Sequence, residues 1–131
     1  MAFSGINYFA VLGAAVAAFA FGAAFYGLLG KHWMAAAGLS EAKPKASNFV
    51  ISFVCELVMA YLLAGLIGHL GDVTVRIGMI SAAFVWVGFV ATTMIVNHRY
   101  GGAKWSLTLI DGAHWLGVLL IMGLVIGLVG I

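Results

Sequence analysis

Four long apolar runs divide the chain, at residues 6–29, 48–70, 77–97 and 106–131. The first, about 24 residues, makes a helix of roughly 36 Å, enough to cross a hydrocarbon core of about 30 Å with some tilt. Within the runs, small and polar residues recur at helical spacing. Ala14, Ala18 and Gly22 stand at successive i+4 positions in the first run. Ser52, Glu56, Ala60, Ala64 and Gly68 do the same in the second, while Phe49, Phe53, Leu57 and Leu63 take other faces. In lipid, helices associate through small-residue faces that let their backbones approach. Ala14, Ala18, Gly22, Ala60, Ala64 and Gly68 are therefore the expected helix-packing residues. Gly78, Ser81, Ala82, Trp86, Gly88, Thr92 and Thr93 interrupt the third run, and Gly112, Gly123, Gly127 and Gly130 the fourth.

The connections are polar. Residues 30–47 form the longest, opened by Lys31-His32-Trp33 and closed by Lys43-Pro44-Lys45. One or two turns of interfacial helix fit residues 31–39, with Trp33, Met34 and Leu39 in the headgroup layer. Pro44 ends such a helix, and Ser47 is the expected N-cap of the next. Residues 71–76 join runs two and three so briefly that these must be antiparallel neighbours. The pattern predicts an all-α fold, a polytopic transmembrane four-helix bundle forming a single domain over residues 1–131.

Composition narrows the class. The chain is 65% hydrophobic and 8% charged, where a soluble domain carries about a quarter charged residues. With a mean hydropathy of +1.18, it reads as an integral membrane protein, and the lipid bilayer is its first partner. A net charge of +2 without a basic run speaks against a nucleic-acid partner. The single cysteine, Cys55, rules out an internal disulfide framework. Residues 1–5 carry no Lys or Arg and the first run is too long for a signal-peptide core, so it is expected to be a retained span. Lys31, Lys43, Lys45, Arg99 and Lys104 fall in turns 30–47 and 98–105, against Arg76 alone on the other side. Positively charged loops stay in the cytoplasm. Both larger turns are expected there, and both termini on the periplasmic face.

Candidate chemistry lies where ionisable groups enter the spans, because such groups face protein or water rather than lipid. Asp111 and His114 share one face of the fourth run, and Glu56 stands in the second. Glu56 and His114 each lie about 12 Å along their helices from the cytoplasmic side. Asp111 is one turn shallower. The expected intramembrane polar cluster is Glu56, Asp111, His114, Asn97 and Tyr26, with Asn7 and His69 forming a smaller polar contact at the opposite end. Such groups can relay protons, can ligate a divalent metal, or can hydrogen-bond one another and fix helix register. The paired Glu-x-x-His helices of di-iron bundles are absent, and further metal ligands are lacking. His32 and His98 read as interfacial, Trp33, Trp105 and Trp115 as interface or packing aromatics, and Trp86 as bundle filling. No phosphate-binding loop, haem-attachment motif or nucleophile elbow appears. No catalytic residue, metal site or cofactor is expected, nor an enzyme.

Several segments taken together carry a resemblance. Ile6-Asn7-Tyr8-Phe9-Ala10-Val11-Leu12 opens the chain, and Phe25-Tyr26-Gly27 and Gly30-Lys31-His32-Trp33-Met34 follow. Gly88-Phe89-Val90-Ala91-Thr92-Thr93, Asn97 and Leu109-Ile110-Asp111-Gly112-Ala113-His114 come later. In this order they resemble the bacterial family called domain of unknown function 1761, over nearly the whole chain. The resemblance implies a four-span protein of the bacterial inner membrane and assigns no catalytic residue. It implies a Trp-Tyr pair near the end of the first span, where Phe25-Tyr26 stands here. It also implies that an amide often replaces the acid at Asp111, which makes His114 the better functional candidate.

Two functions are weighed. One is an accessory or structural subunit, associating with itself or with a larger membrane complex through its small-residue faces. The other is a homo-oligomeric transporter or channel for protons or a small solute, using Glu56, Asp111 and His114.

Overall fold

The computed structural model describes residues 3–40 and 45–130. Lys43 and Pro44 of the first turn lie outside these residues, as do the two residues at the N-terminus and Ile131. Helices α1 (Tyr8–Ala37), α2 (Ala46–Leu70), α3 (Val75–Val85), α4 (Thr92–Tyr100) and α5 (Trp105–Val129) make up the fold. A π-helical segment, Trp86–Ala91, joins α3 to α4, so Val75–Tyr100 forms one span. Four helices are thus long and apolar enough to cross a membrane. Among the described residues there is no strand. The fold is an all-α membrane bundle.

Asn7 starts α1. Its side chain accepts from the backbone N–H groups of Phe9 (3.0 Å) and Ala10 (3.3 Å). It is a helix cap rather than half of a polar contact with His69, which lies exposed on α2. The first span does not stop at Leu29. Lys31 and His32 remain helical, and Ala35-Ala36-Ala37, the strongest helix former in triplicate, carries α1 to 30 residues, about 45 Å. What ends the helix is Gly38 at φ 73°, a left-handed conformation that glycine adopts without Cβ strain. The N–H groups of Gly38 and Leu39 return to the carbonyls of Ala35 and Met34. The interfacial helix expected after a break is therefore the continuation of α1. Likewise α2 begins before Ser47: Lys45 is its N-cap, without a side-chain hydrogen bond.

The helices alternate in direction. Thr74 caps α3, its hydroxyl accepting from Ile77 N at 3.1 Å. Gly102 (φ 72°) turns the chain between α4 and α5. The core runs along α5, where Val118, Leu119, Met122 and Ile126 are buried. Ala14 and Ala18 of α1 and Ala82 of α3 are fully buried with them. On α2 the buried positions are Glu56, Ala60, Leu63, Ala64, Gly65 and Ile67, and Gly68 is half-buried. This i, i+4, i+7 face matches the small-residue stripe at its centre and adds Leu63 and Ile67 beside it.

Two features set the helix positions. Gly78 and Gly123 lie against each other at the α3–α5 crossing, where a Cβ on either would run into the other's backbone carbonyl. At the opposite end of α5, the Arg99 guanidinium lies 3.6 Å from the centre of the Trp105 ring and donates to Thr108 Oγ1 at 2.7 Å. His98 Nδ1 is also 2.7 Å from that hydroxyl. His98 and Trp105 thus tie the second basic turn to α5. On the lipid-facing surface are large apolar side chains such as Phe9, Leu28, Phe84 and Phe89.

Candidate functional site

Between α1, α2 and α5 lies a cavity of about 880 Å³. It reaches from Glu56 and His114, at depth, to Leu39 and Asn48 beside the first turn. Its size falls in the range of small-molecule sites. The wall is mostly aromatic and glycine: Phe19, Tyr26, Trp33, Phe49 and Trp115, with Gly22, Gly27 and Gly30 along α1.

The glycines have a geometric role here. A Cβ at Gly22 would lie 2.8 Å from His114 Nε2, so the imidazole occupies space that any larger residue would close. Around the imidazole stand four aromatic rings. Phe21 stacks on it (6.2 Å between centroids, 9° between planes), Tyr26 lies at 4.7 Å, Phe25 at 5.6 Å and Trp115 at 4.6 Å. His114 is 7% exposed, and its Nδ1 is buried without a hydrogen-bond partner.

Asp111 is bonded quite differently. The Tyr26 hydroxyl donates to its Oδ1 at 2.6 Å, and the Trp33 indole N–H donates to the same oxygen at 3.1 Å. Tyr26 and Trp33 are seven positions apart, so both project from one face of the long α1. The sequence places Trp33 in the headgroup layer; because α1 continues through Gly30, it reaches Asp111 instead. A stripe of Gly22, Tyr26, Gly30 and Trp33, followed as one unbroken helix, identifies it.

Glu56 lies across the cavity on α2, 3% exposed, with Oε1 buried and unpartnered. The expected cluster is therefore divided. Tyr26, Asp111 and His114 are together, and Glu56 faces the same cavity from α2. Asn97 is not part of it. It lies exposed on α4, lining a separate shallow cleft with Thr92, Thr93 and Val96. The cause is the π-helical segment just before α4. Its wider turn shifts the angular register of every later side chain, so the face of α4 turned to α5 carries His98 and Arg99 instead. Trp86, at the start of that segment, donates its indole N–H to the Gly112 carbonyl at 2.9 Å.

The division also bears on chemistry. Among the described residues, no three His, Cys, Asp or Glu side chains are grouped as a metal would need. Nor do the three ionisable groups satisfy one another, as register-fixing side chains would. Asp111 is held by two neutral donors, and Glu56 and His114, which border the cavity, each keep one buried polar atom without a hydrogen-bond partner. Cys55 is on the exposed side of α2, away from Glu56 despite the adjacent number.

Fold and cavity define a class: small four-span membrane proteins with an aromatic-walled, mostly apolar cavity between the helices. Within it, the chain belongs to the family described as Protein of unknown function (DUF1761), whose model matches residues 9–127. Neither a curated protein nor a solved structure matches the chain.

Proposed function

We propose that this protein is a small membrane carrier that takes up protons or a small solute in the α1–α2–α5 cavity. Glu56 and His114 meet the bound species, and Asp111 holds the wall through Tyr26 and Trp33. The observation that carries this reading is the pair of unpartnered buried atoms, Glu56 Oε1 and His114 Nδ1, in residues bordering one cavity. Buried polar groups are nearly always hydrogen-bonded, and exceptions call for a functional explanation. A group awaiting a ligand is such an explanation.

The accessory-subunit reading draws on another feature. Thr92, Thr93 and Asn97 form a polar stripe on the outward face of α4, within the third span. Polar side chains facing hydrocarbon favour a protein neighbour, so this stripe supports a homo-oligomer or a larger complex.

The two readings separate in liposomes holding a pH-sensitive dye under a potassium diffusion potential. Wild-type protein is expected to let protons follow the potential, so that the lumen pH changes several-fold faster than in empty vesicles. Glu56→Gln with His114→Ala is expected to fall to the empty-vesicle rate while eluting at the wild-type position on gel filtration. A wild type without proton flux, paired with a double variant that loses assembly, would overturn the proton-carrier reading and favour the accessory role.

We place the protein in the bacterial inner membrane with the 38–45 and 101–104 turns in the cytoplasm, on the strength of Lys31, Lys45, Arg99 and Lys104 at that end. In intact spheroplasts, a membrane-impermeant maleimide is expected to label Asp72→Cys and to leave Lys104→Cys unlabelled. The reverse pattern overturns the orientation.

A further inference from the structure

We infer that the cavity takes an amphiphilic organic cation, an ammonium or comparable onium group attached to an apolar body, with Glu56 as its counter-ion. This rests on the carrier reading above and names the class of solute.

Three observations converge. First, among the described residues no lysine or arginine lines the cavity, and the one lining side chain able to carry negative charge as a carboxylate is Glu56. Asp111, the other acid of this region, is not among the lining residues and has its Oδ1 occupied by Tyr26 and Trp33. Second, Glu56 is 3% exposed with Oε1 unpartnered. A buried carboxylate without a partner is costly, and a cation in the adjoining hollow would supply the missing charge. An anion would meet the Glu56 carboxylate, with the His114 imidazole as the one basic side chain on the described wall. Third, the wall is aromatic, with Phe19, Tyr26, Trp33, Phe49 and Trp115 around the space. Ring faces attract cations, and aromatic enclosures are the recurrent way of binding quaternary ammonium groups. The same rings give an apolar body its contact surface. A small inorganic cation would meet the Glu56 carboxylate and the side-chain oxygens of Asn48, Ser52 and Tyr26, fewer than the about six to eight oxygens that a hard cation takes in place of its hydration shell. An onium ion, weakly hydrated and bulky, needs none.

One chemistry has two sources, a free organic cation or the ammonium headgroup of a lipid reaching in beside the first turn. The probe is radiolabelled tetraphenylphosphonium, bound to wild-type protein in nanodiscs. Saturable binding is expected, with neutral triphenylphosphine oxide and anionic naphthalenesulfonate failing to compete. Glu56→Gln is expected to weaken binding at least tenfold, and Glu56→Asp to retain part of it. Equal competition by the neutral or anionic analogue, or unchanged affinity in a folded Glu56→Gln protein, overturns the inference. The wild-type competition series decides even if the Gln variant fails to fold. Nanodiscs of phosphatidylglycerol alone, compared with discs containing phosphatidylethanolamine, separate the sources. Weaker probe binding in the second assigns the site to a lipid ammonium group, and equal binding to a free cation; both support the onium class. Proton flux without phosphonium binding would sink this inference alone, whereas loss of both would sink the carrier reading with it.

Discussion

Gly78→Leu is expected to abolish the folded bundle. At the α3–α5 crossing, Gly78 faces Gly123, and a Cβ on Gly78 would collide with the Gly123 carbonyl oxygen and carbon. The obstacle is backbone in both directions, so no flexible side chain can rotate away. Leucine carries three carbons beyond the clashing Cβ, and they would force the two helices apart along their contact. Overpacking an ordinary core costs about 1–3 kcal/mol where neighbours can adjust; here the helices must separate, and the cost is expected at or above the top of that range. Besides the hydrogen bonds of Trp86, His98 and Arg99 to α5, packing at this crossing is what holds the third span. Of its residues only Gly78, Ser81 and Ala82 are buried, and all three lie near this crossing. The measurement is unfolding in detergent by titration with sodium dodecyl sulfate, followed by tryptophan fluorescence. Gly88→Leu, in the same span, is the control: a Cβ there meets nothing within 4 Å, and its midpoint is expected to stay at the wild-type value. Equal midpoints for Gly78→Leu and wild type would mean that the helices do not cross at these glycines.

The glycine crossing also shows what the sequence makes legible. Four spans follow from apolar runs because the hydrocarbon core imposes both length and composition on any helix that crosses it. The buried faces follow from periodicity: Ala14 and Ala18, or Glu56, Ala60 and Ala64, repeat every four residues and are buried. Periodicity fails where the helix itself departs from 3.6 residues per turn. The π-helical segment at Trp86–Ala91 turns Asn97 outward, although depth and polarity alone group it with Glu56. A second failure arises from reading polarity as a helix end. Lys31 and His32 are compatible with helix and merely exposed; the end is set by backbone conformation at Gly38. That difference of two turns brings Trp33 to Asp111. Third, no spacing rule tells a carboxylate which donors it will find. Sequence places Asp111 and His114 on one face, yet Asp111 bonds across to α1, and Glu56 faces a hollow that only the relative positions of three helices create.

The contact that closes this hollow supplies the second large effect. Asp111→Leu is expected to destabilise the bundle by about 2–3 kcal/mol, since hydrogen bonds to charged groups are worth roughly 1.5–3 kcal/mol and a stranded buried donor costs about 1–3 kcal/mol. Two donors are stranded together, the Tyr26 hydroxyl and the Trp33 indole N–H. Both belong to α1, and they are the side-chain hydrogen bonds joining its last turns to α5 among the described residues. Without them the stretch from Tyr26 to Ala37 is held by packing alone, and the tryptophan at its centre gains access to water. Asp111→Asn should behave otherwise. Its amide oxygen can accept both donors from the same position, so the stability is expected to stay within about 1 kcal/mol of wild type, the difference between charged and neutral acceptors. That tolerance agrees with the amide which the family resemblance implies at this position. Thermal unfolding in detergent ranks the three proteins. Iodide quenching of tryptophan fluorescence, read before unfolding, reports whether Trp33 has come loose; a Trp33→Phe background identifies its share of the signal. A leucine variant as stable as wild type, with unchanged quenching, would show that α1 needs no anchor on Asp111. An asparagine variant as unstable as the leucine one would show that the charge, rather than the acceptor geometry, holds the two donors.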